Sequence, residues 1–456
     1  MRRPRPAPRL GRVHLFVAFA FTVIADPVSS VAYAIESALA GLDGDLAGLL
    51  PTMGLVVGTI AIVAASYHQL VRRFPQGGGG PRSVATTFGE GFAFVPLGAL
   101  LVDFTLTVAI SCAASASALI AYAPGLADWR VPLAVALATV VALGISLGHR
   151  GRVVFAIATQ LFLLCALVVV GAGAGEALGS GVHDGSRPLL SGAALGPILL
   201  AMPLGMALAT GIESPSDAIA QLGQLGDRGR RLFGQLTIWL MVGIVGALTL
   251  ALAALAVSLG IGLPPQHSTL LAEIARASVG DGPAFAAFQA TSALLLLAAA
   301  ASAYLAGSGV LRALAVPPRG HGEGLLPSRL AMRNRYYVPI WGVALVLGVT
   351  VALIILSGGH DQELVHFYAV SVFASFLAAL AACARLSWRE RRYRELSVNA
   401  VGLGLIGFVL ILNLTRLDGA IALAASFAVA LALWLTWVRR GRPAGVATAE
   451  FEASAG

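Results

Sequence analysis

Long apolar runs separated by short polar stretches fill the chain from residue 14 to residue 438. A helix needs about 20 apolar residues to cross a bilayer. By that measure the runs predict twelve spans: 14–40, 47–71, 91–121, 131–148, 153–174, 192–221, 233–262, 284–314, 338–357, 363–384, 396–414 and 417–438. The first run is too long for the apolar part of a secretory leader, and no small-residue cleavage site precedes a soluble domain. Residues 1–13 and 439–456 are then tails, the second ending in PAGVATAEFEASAG, a small-residue stretch with too little apolar content to fold. No soluble domain is expected at either end. Three stretches between spans have their own character. HSTLLAEIARASVGDG (267–282) has helical spacing and is expected at the outer surface. VPPRGHGEG, within 315–337, reads as a polar loop. PQGGGG (75–80) lacks the Gly-Lys-Ser/Thr ending of a phosphate loop and is expected to be a flexible connection.

Composition agrees with the pattern. The chain is 58% hydrophobic and 11% charged, whereas soluble domains run near 25% charged. The class is an all-α polytopic membrane protein. Cys112, Cys165 and Cys383 all lie inside apolar runs and suggest neither disulfides nor zinc. The eight histidines have no ligand spacing, so no transition metal and no cofactor is expected. No nucleophile–base pairing points to an enzyme. The formal net charge of +8 could indicate nucleic acid, but its distribution explains it more simply. All 30 basic residues are arginine, and with the N-terminus inside, 26 fall on the cytoplasmic side and four (Arg130, Arg187, Arg276 and Arg416) outside. By the positive-inside rule this bias places both termini in the cytoplasm of a multi-pass protein of the cell membrane.

Two spans are interrupted. Span 1 carries IADPVSSVAY (24–33), which puts Asp26 and Pro27 at membrane depth. An aspartate there costs roughly 2.5–3.5 kcal/mol on insertion scales, and an interior proline costs about 3 kcal/mol in an ordinary helix. Span 6 carries AMPLGMALATGIESPSDAI (201–219), with prolines and glycines around Thr210 and Glu213. The breaks lie five spans apart, as inverted repeats of spans 1–5 and 6–10 with spans 11 and 12 appended would place them. Paired broken helices are the best sequence pointer to a transporter's central site, where freed backbone and half-helix ends bind ions or substrate.

The polar residues at depth gather round these breaks. Asp26, Asp103 and Glu213 are the carboxylates well inside spans, and no arginine lies at comparable depth. Any one of them alone could bond freed amides, yet intramembrane acids mark functional sites by default. Three without a basic partner require a cation, protons or both. In LVDFTLTVAISCAAS (101–115), Asp103, Thr107 and Ser111 recur every four residues and share a helical face. Either hydroxyl alone reads equally well as bonded to its own helix; aligned beneath an aspartate they read as a polar track. Tyr368, in HFYAVSVFASF (366–376), reads by itself first as a packing or interfacial residue. Glu36 is expected in a solvated vestibule, Asp217 as a local cap or pairing partner, and Tyr67 and His68 at the interface.

These motifs resemble those of the amino acid–polyamine–organocation superfamily, and within it the KimA-type potassium importers related to the KUP group. DPVSSVAYA is similar to the family's D-A-L-S-S-V-A-Y-G, and SYHQLVRRFPQGGGG to S-Y-R-Q-T-x-x-x-Y-P-x-G-G-G. GALLVDFTLTVAISCAAS is similar to L-L-V-D-Y-x-L-T-V-A-V-S, ATGIESPSDAI to A-T-G-V-E-A-I-S-N-G, and FYAVSVFASF to L-Y-A-V-G-V-F-L-S-F. The resemblance implies a LeuT-like 5+5 inverted repeat of 12 helices with helices 1 and 6 broken. It also implies potassium ligands at Asp26, Tyr33, Asp103, Thr107, Ser111, Thr210, Glu213 and Tyr368, and proton-coupled uptake. The chain departs from the pattern at Pro27, where the family has alanine, and in AAAASAYLAGSGVLRAL of span 8, which lacks the family's polar pattern. The family's cytoplasmic C-terminal domain is expected to be absent, so regulation or dimerisation through it does not carry over; a homodimer remains compatible with the reading.

The leading expectation is therefore proton-coupled import of potassium, with Asp26 nearest the ion and Asp103 and Glu213 as proton-coupling candidates. Its partners are K+, H+ and the bilayer. The alternative is an amino acid or cationic amine permease. Asp26 would repel a substrate carboxylate and tolerate an amine. A sensor or scaffold that binds without transport is the third class, disfavoured by retention of all eight motif positions.

Overall fold

The computed structural model describes residues 11–148, 151–179, 195–317 and 324–445. Arg2, Arg3, Arg5, Arg9, Arg150, Arg187 and Arg319 of the charge argument lie outside them, as do most of both expected tails and part of VPPRGHGEG. The chain is helical throughout the described residues. The helices are α1 (Arg12–Val23), α2 (Ala25–Ser29), α3 (Val31–Gly41), α4 (Leu46–Arg73), α5 (Gly79–Phe88), α6 (Glu90–Tyr122), α7 (Arg130–Ser146), α8 (Gly151–Gly179), α9 (Leu195–Gly205), α10 (Ser214–Ala218), α11 (Asp227–Ser258), α12 (Leu270–Val279), α13 (Pro283–Ala315), α14 (Ile340–Leu356), α15 (Asp361–Arg389), α16 (Tyr393–Leu414) and α17 (Leu417–Arg439).

Ten helical stretches among the described residues are long and apolar enough to cross a membrane. The first apolar run is divided among α1, α2 and α3, and α14 is 17 residues long. In lipid every backbone polar group must be satisfied within the protein, which is why long uninterrupted helices dominate. Their ends follow ordinary capping rules. Asp45 accepts from Ala47 N–H at the start of α4, Thr269 accepts from Ala272 N–H at the start of α12, and Pro283 opens α13.

Burial sorts the helices into a centre and a rim. In their most apolar windows, α6 and the interrupted stretch 195–221 are 72% buried and α13 is 67% buried, against 22% for α16 and α17. The rim displays Val140, Leu143, Leu167, Ile355 and Ile411, as a surface in contact with lipid tails should. Exposed Trp129 and Tyr122 mark one end of the bundle, and Trp388 and Tyr393 the arginine-rich end; such aromatics favour the membrane interface. Small residues let the centre and rim approach: a Cβ on Gly98 of α6 would lie 2.6 Å from Ala430 N of α17.

One group of buried polar side chains between spans forms a connected network. Asn399 of α16 accepts from Ser66 Oγ at 2.7 Å and donates to Gln69 Oε1 at 3.0 Å and to Ser387 Oγ at 3.1 Å. Arg73 extends this network to Glu390 and Glu395. A closed network of this kind ties α4, α15 and α16 together at the arginine-rich end.

The connections differ in part from expectation. The predicted outer-surface helix is α12, whose Leu270, Leu271, Ile274 and Ala275 face inward. The Gly-rich stretch is no flexible loop. Pro75 and Gly77 to Gly80 are buried, because α5 begins there and packs beneath the interrupted span 6. In the expected polar loop, Leu325 is buried and its N–H donates to Leu314 O.

Candidate functional site

The two predicted interruptions take different forms. In span 1, α1, α2 and α3 are separated by single residues, Ile24 (φ −78°, ψ −5°) and Ser30 (φ −65°, ψ −20°), both still right-handed. The stretch is kinked and not unwound, which corrects the expectation of exposed backbone there. Pro27 has no N–H for the Val23 carbonyl. Nearby hydroxyls take up backbone acceptors: Ser29 Oγ donates to Asp26 O at 2.7 Å, and Ser30 Oγ donates to Pro27 O at 2.6 Å and to Leu208 O at 3.2 Å. Those serines are occupied by the backbone.

Span 6 is truly interrupted. α9 tightens into a 3-10 turn over Met206–Ala209, and then Thr210 becomes extended (φ −53°, ψ 132°). Gly211 is left-handed at φ +74° before α10 resumes the path. A left-handed residue favours glycine because a Cβ would meet its own carbonyl. Here the space is closed as well: a Cβ on Gly211 would lie 2.8 Å from Asp26 Oδ2 and 2.9 Å from Pro27 Cδ. The break in one span is thus fitted onto the acid of the other.

The third wall is α6, with Tyr368 on α15 opposite it. Asp103, Thr107 and Ser111 are all buried. The back-bonding open to both hydroxyls is not made, since neither Thr107 Oγ1 nor Ser111 Oγ has a partner. Thr105, on another face of the same helix, does bond Leu101 O, at 2.8 Å. Tyr368, which alone reads first as a packing or interfacial residue and by the resemblance as a ligand, is buried with its hydroxyl unpartnered and near the Asp103 carboxyl. Tyr33 is likewise buried with an unpartnered hydroxyl, directed at Thr210.

All eight sequence-predicted residues are buried; Asp26, Tyr33, Asp103, Thr210, Glu213 and Tyr368 lie near one another, and Thr107 and Ser111 continue the Asp103 face of α6. Seven carry a polar atom without a hydrogen-bond partner: Asp26 Oδ1, Tyr33 OH, Asp103 Oδ1, Thr107 Oγ1, Ser111 Oγ, Glu213 Oε2 and Tyr368 OH. Thr210 is the exception, donating to Ala207 O at 2.7 Å. A buried polar atom left unmade costs about 1–3 kcal/mol, and more if charged, so such a concentration calls for a ligand. Asp26, Asp103 and Glu213 lie within electrostatic reach of one another. None forms an ion pair among the described residues. Nor do any three His, Cys, Asp or Glu side chains there converge as ligands of one metal ion. The three acids are strung along the centre of the bundle.

Towards the arginine-poor end a polar clasp links the helices. Ser37 Oγ donates to Gln362 Oε1 at 2.6 Å, Ser117 Oγ donates to Asp361 at 2.7 Å, and Arg130 donates to Ser117 Oγ at 2.8 Å and to Gln266 O at 3.0 Å. Glu36, expected in a solvated vestibule, is half-buried and accepts from Leu270 N–H at 2.8 Å. Towards the other end sequence reasoning missed Tyr67. Expected at the interface, it is buried with its hydroxyl unpartnered, close to Glu213 and Asp217. His68 is the half-exposed neighbour, accepting from Trp239 Nε1 at 3.1 Å.

Comparison with known proteins places the chain in a family. The chain is 27% identical over 406 residues to the potassium transporter KimA of Bacillus subtilis (strain 168), an alignment covering 85% of this chain. It covers 64% of the relative, so the chain spans less than two thirds of that protein's length. A family model described as amino acid permease matches residues 15–438. That match takes in every span and both interruptions, and the chain belongs to the amino acid permease family, a multi-pass membrane transporter and not an enzyme.

Proposed function

We propose that the protein imports potassium, or a monovalent cation of similar size, together with protons by alternating access. The carrying observation is the set of seven buried, unpartnered polar atoms, three of them on carboxylates with no basic partner among the described residues. A dehydrated monovalent cation needs oxygen ligands and compensating charge, and this set supplies both. Three full negative charges exceed what one such ion balances, so at least one acid carries the co-transported proton. Asp26, held against Gly211 at the junction of the two interruptions, is assigned to the ion; Asp103 and Glu213 are assigned to proton coupling. The relative's name as a potassium transporter supports the choice of ion.

The same reading takes residues 14–438 as one transporter domain of twelve spans. Spans 1–5 and 6–10 form inverted repeats of the LeuT type, and two spans are appended. Its support is that helices occupy each of the twelve apolar runs and that spans 1 and 6 are the interrupted ones. The arginine bias supports a cell-membrane orientation with both termini cytoplasmic, which makes the clasped end the outer one.

The test is uptake of ⁸⁶Rb+ into proteoliposomes under an inward proton gradient, with rescue of a potassium-uptake-deficient bacterium at low potassium. Uptake that an uncoupler abolishes and potassium outcompetes is the expected result; no Rb+ uptake under any gradient overturns it. A cationic amine is the second reading, favoured by Asp26 standing where permeases hold the substrate carboxylate at a half-helix N-terminus. Labelled amine uptake indifferent to potassium would establish it.

A further inference from the structure

We infer that a second monovalent-cation site lies between the central acids and the arginine-rich end, formed by Glu213, Tyr67 and Asp217 over the Gly79–Gly80 start of α5. This inference rests on the cation reading above. Glu213 and Asp217 are four residues apart across the start of α10, on one helical face. Glu213 Oε2 and the Tyr67 hydroxyl are both unpartnered, and Tyr67 is only 1% exposed. The Tyr67 ring packs edge-on against Phe376 of α15, with centroids 5.9 Å apart, and lies within electrostatic reach of the two carboxyls.

The floor is built by close backbone approach. A Cβ on Gly79 would lie 2.7 Å from Ser216 Oγ, and one on Gly80 would lie 3.8 Å from the Tyr67 hydroxyl. Side chains there would fill the space. The Asp217 carboxyl lies beside Gly79 N–H and 3.3 Å from Ser216 Oγ, which donates at closer range, 2.7 Å, to Glu213 O. No arginine pairs with Glu213 or Asp217 among the described residues. The nearby guanidinium of Arg82 is directed at Gly77 O, 3.5 Å away, and lies over the Phe74 ring. Two carboxyls and a phenol oxygen face one another with no basic side chain, which is the chemistry of a cation site and not of an anion site. Glu213 also belongs to the central set, where it is assigned to proton coupling, so it serves this ion as a carboxylate once its proton has left.

Equilibrium binding of ⁸⁶Rb+ to the purified full-length chain tests the inference. The wild type is expected to bind two ions per chain, and Asp26→Asn to lose the central one. Asp217→Asn is expected to lose the second ion and to leave the affinity of the first within about twofold. Tyr67→Phe should keep both ions and weaken the second roughly tenfold, the effect of one lost ligand. It also serves if Asp217→Asn fails to fold. A wild type that binds one ion, unaffected by Asp217→Asn, overturns this inference and leaves the cation reading standing. So does an Asp217→Asn protein with a lower melting temperature and two ions still bound, which would make Asp217 only a cap of α5. A wild type that binds no Rb+ overturns the cation reading itself.

Discussion

Span 1 and span 6 carry similar warnings in sequence, prolines and polar residues at membrane depth, and the structure resolves them in opposite ways. Span 1 stays right-handed through both kinks and uses Ser29 and Ser30 to occupy backbone carbonyls. What it offers a ligand is the Asp26 carboxyl, about two turns before Tyr33. Span 6 loses its helical path at Thr210 and Gly211 and offers Glu213 beyond the break. A polar residue at a helix interruption either repairs the backbone or remains free. Only the second kind is open to a ligand.

The comparison can be broken most directly at its point of contact. Asp26→Asn removes the one charge that span 1 contributes while keeping its shape. Rb+ uptake is expected to fall at least about a hundredfold, the loss of a charged ligand, with expression and melting temperature near wild type. Retained uptake would mean that span 1 is a scaffold like any other. Gly211→Ala attacks the other side. Strain of roughly 1–2 kcal/mol at a left-handed residue adds to the clash with Asp26 and Pro27. About tenfold lower uptake and a lower melting temperature are expected together.

Smaller effects should sharpen the distinction between repair and chemistry. Ser30→Ala deletes the hydroxyl shared between Pro27 O and Leu208 O. It should cost about 1 kcal/mol of stability and change the apparent Rb+ affinity by no more than about twofold; a large affinity change would make Ser30 a ligand. Pro27→Ala should matter least. It restores an N–H to the helix, and the kink is still held by the serines and by Gly211, so uptake should stay within about threefold of wild type. If it abolishes uptake, the proline and not the packing of span 6 sets the site.

A third pairing bears on how much of this was legible. Thr105 and Thr107 are indistinguishable by type and depth in LVDFTLTVAIS, and only their phase against Asp103 separates them. That phase sufficed: Thr105 bonds its own helix and Thr107 does not. Tyr67 had no comparable signal, because a tyrosine near the end of a span suits the interface equally well. Its burial depends on α15 packing across it at Phe376. PQGGGG likewise reads as flexible until Gly79 is seen against Ser216, a contact between residues 137 positions apart in the chain.

The sequence by itself determined that this is a helical, multi-pass membrane protein, and it singled out eight polar residues within its apolar runs. It could do so because lipid makes every polar group there costly, so each is retained for a reason visible in one dimension. Only the tertiary structure decided which of those groups are free. The hydroxyls of Ser29 and Ser30 and those of Thr107 and Ser111 are the same chemistry, divided by whether a carbonyl lies within reach. Hydrogen-bond reach extends about 3 Å, and whether Leu208 comes that close to Ser30, or Gly211 to Asp26, is settled by how the two interrupted spans pack.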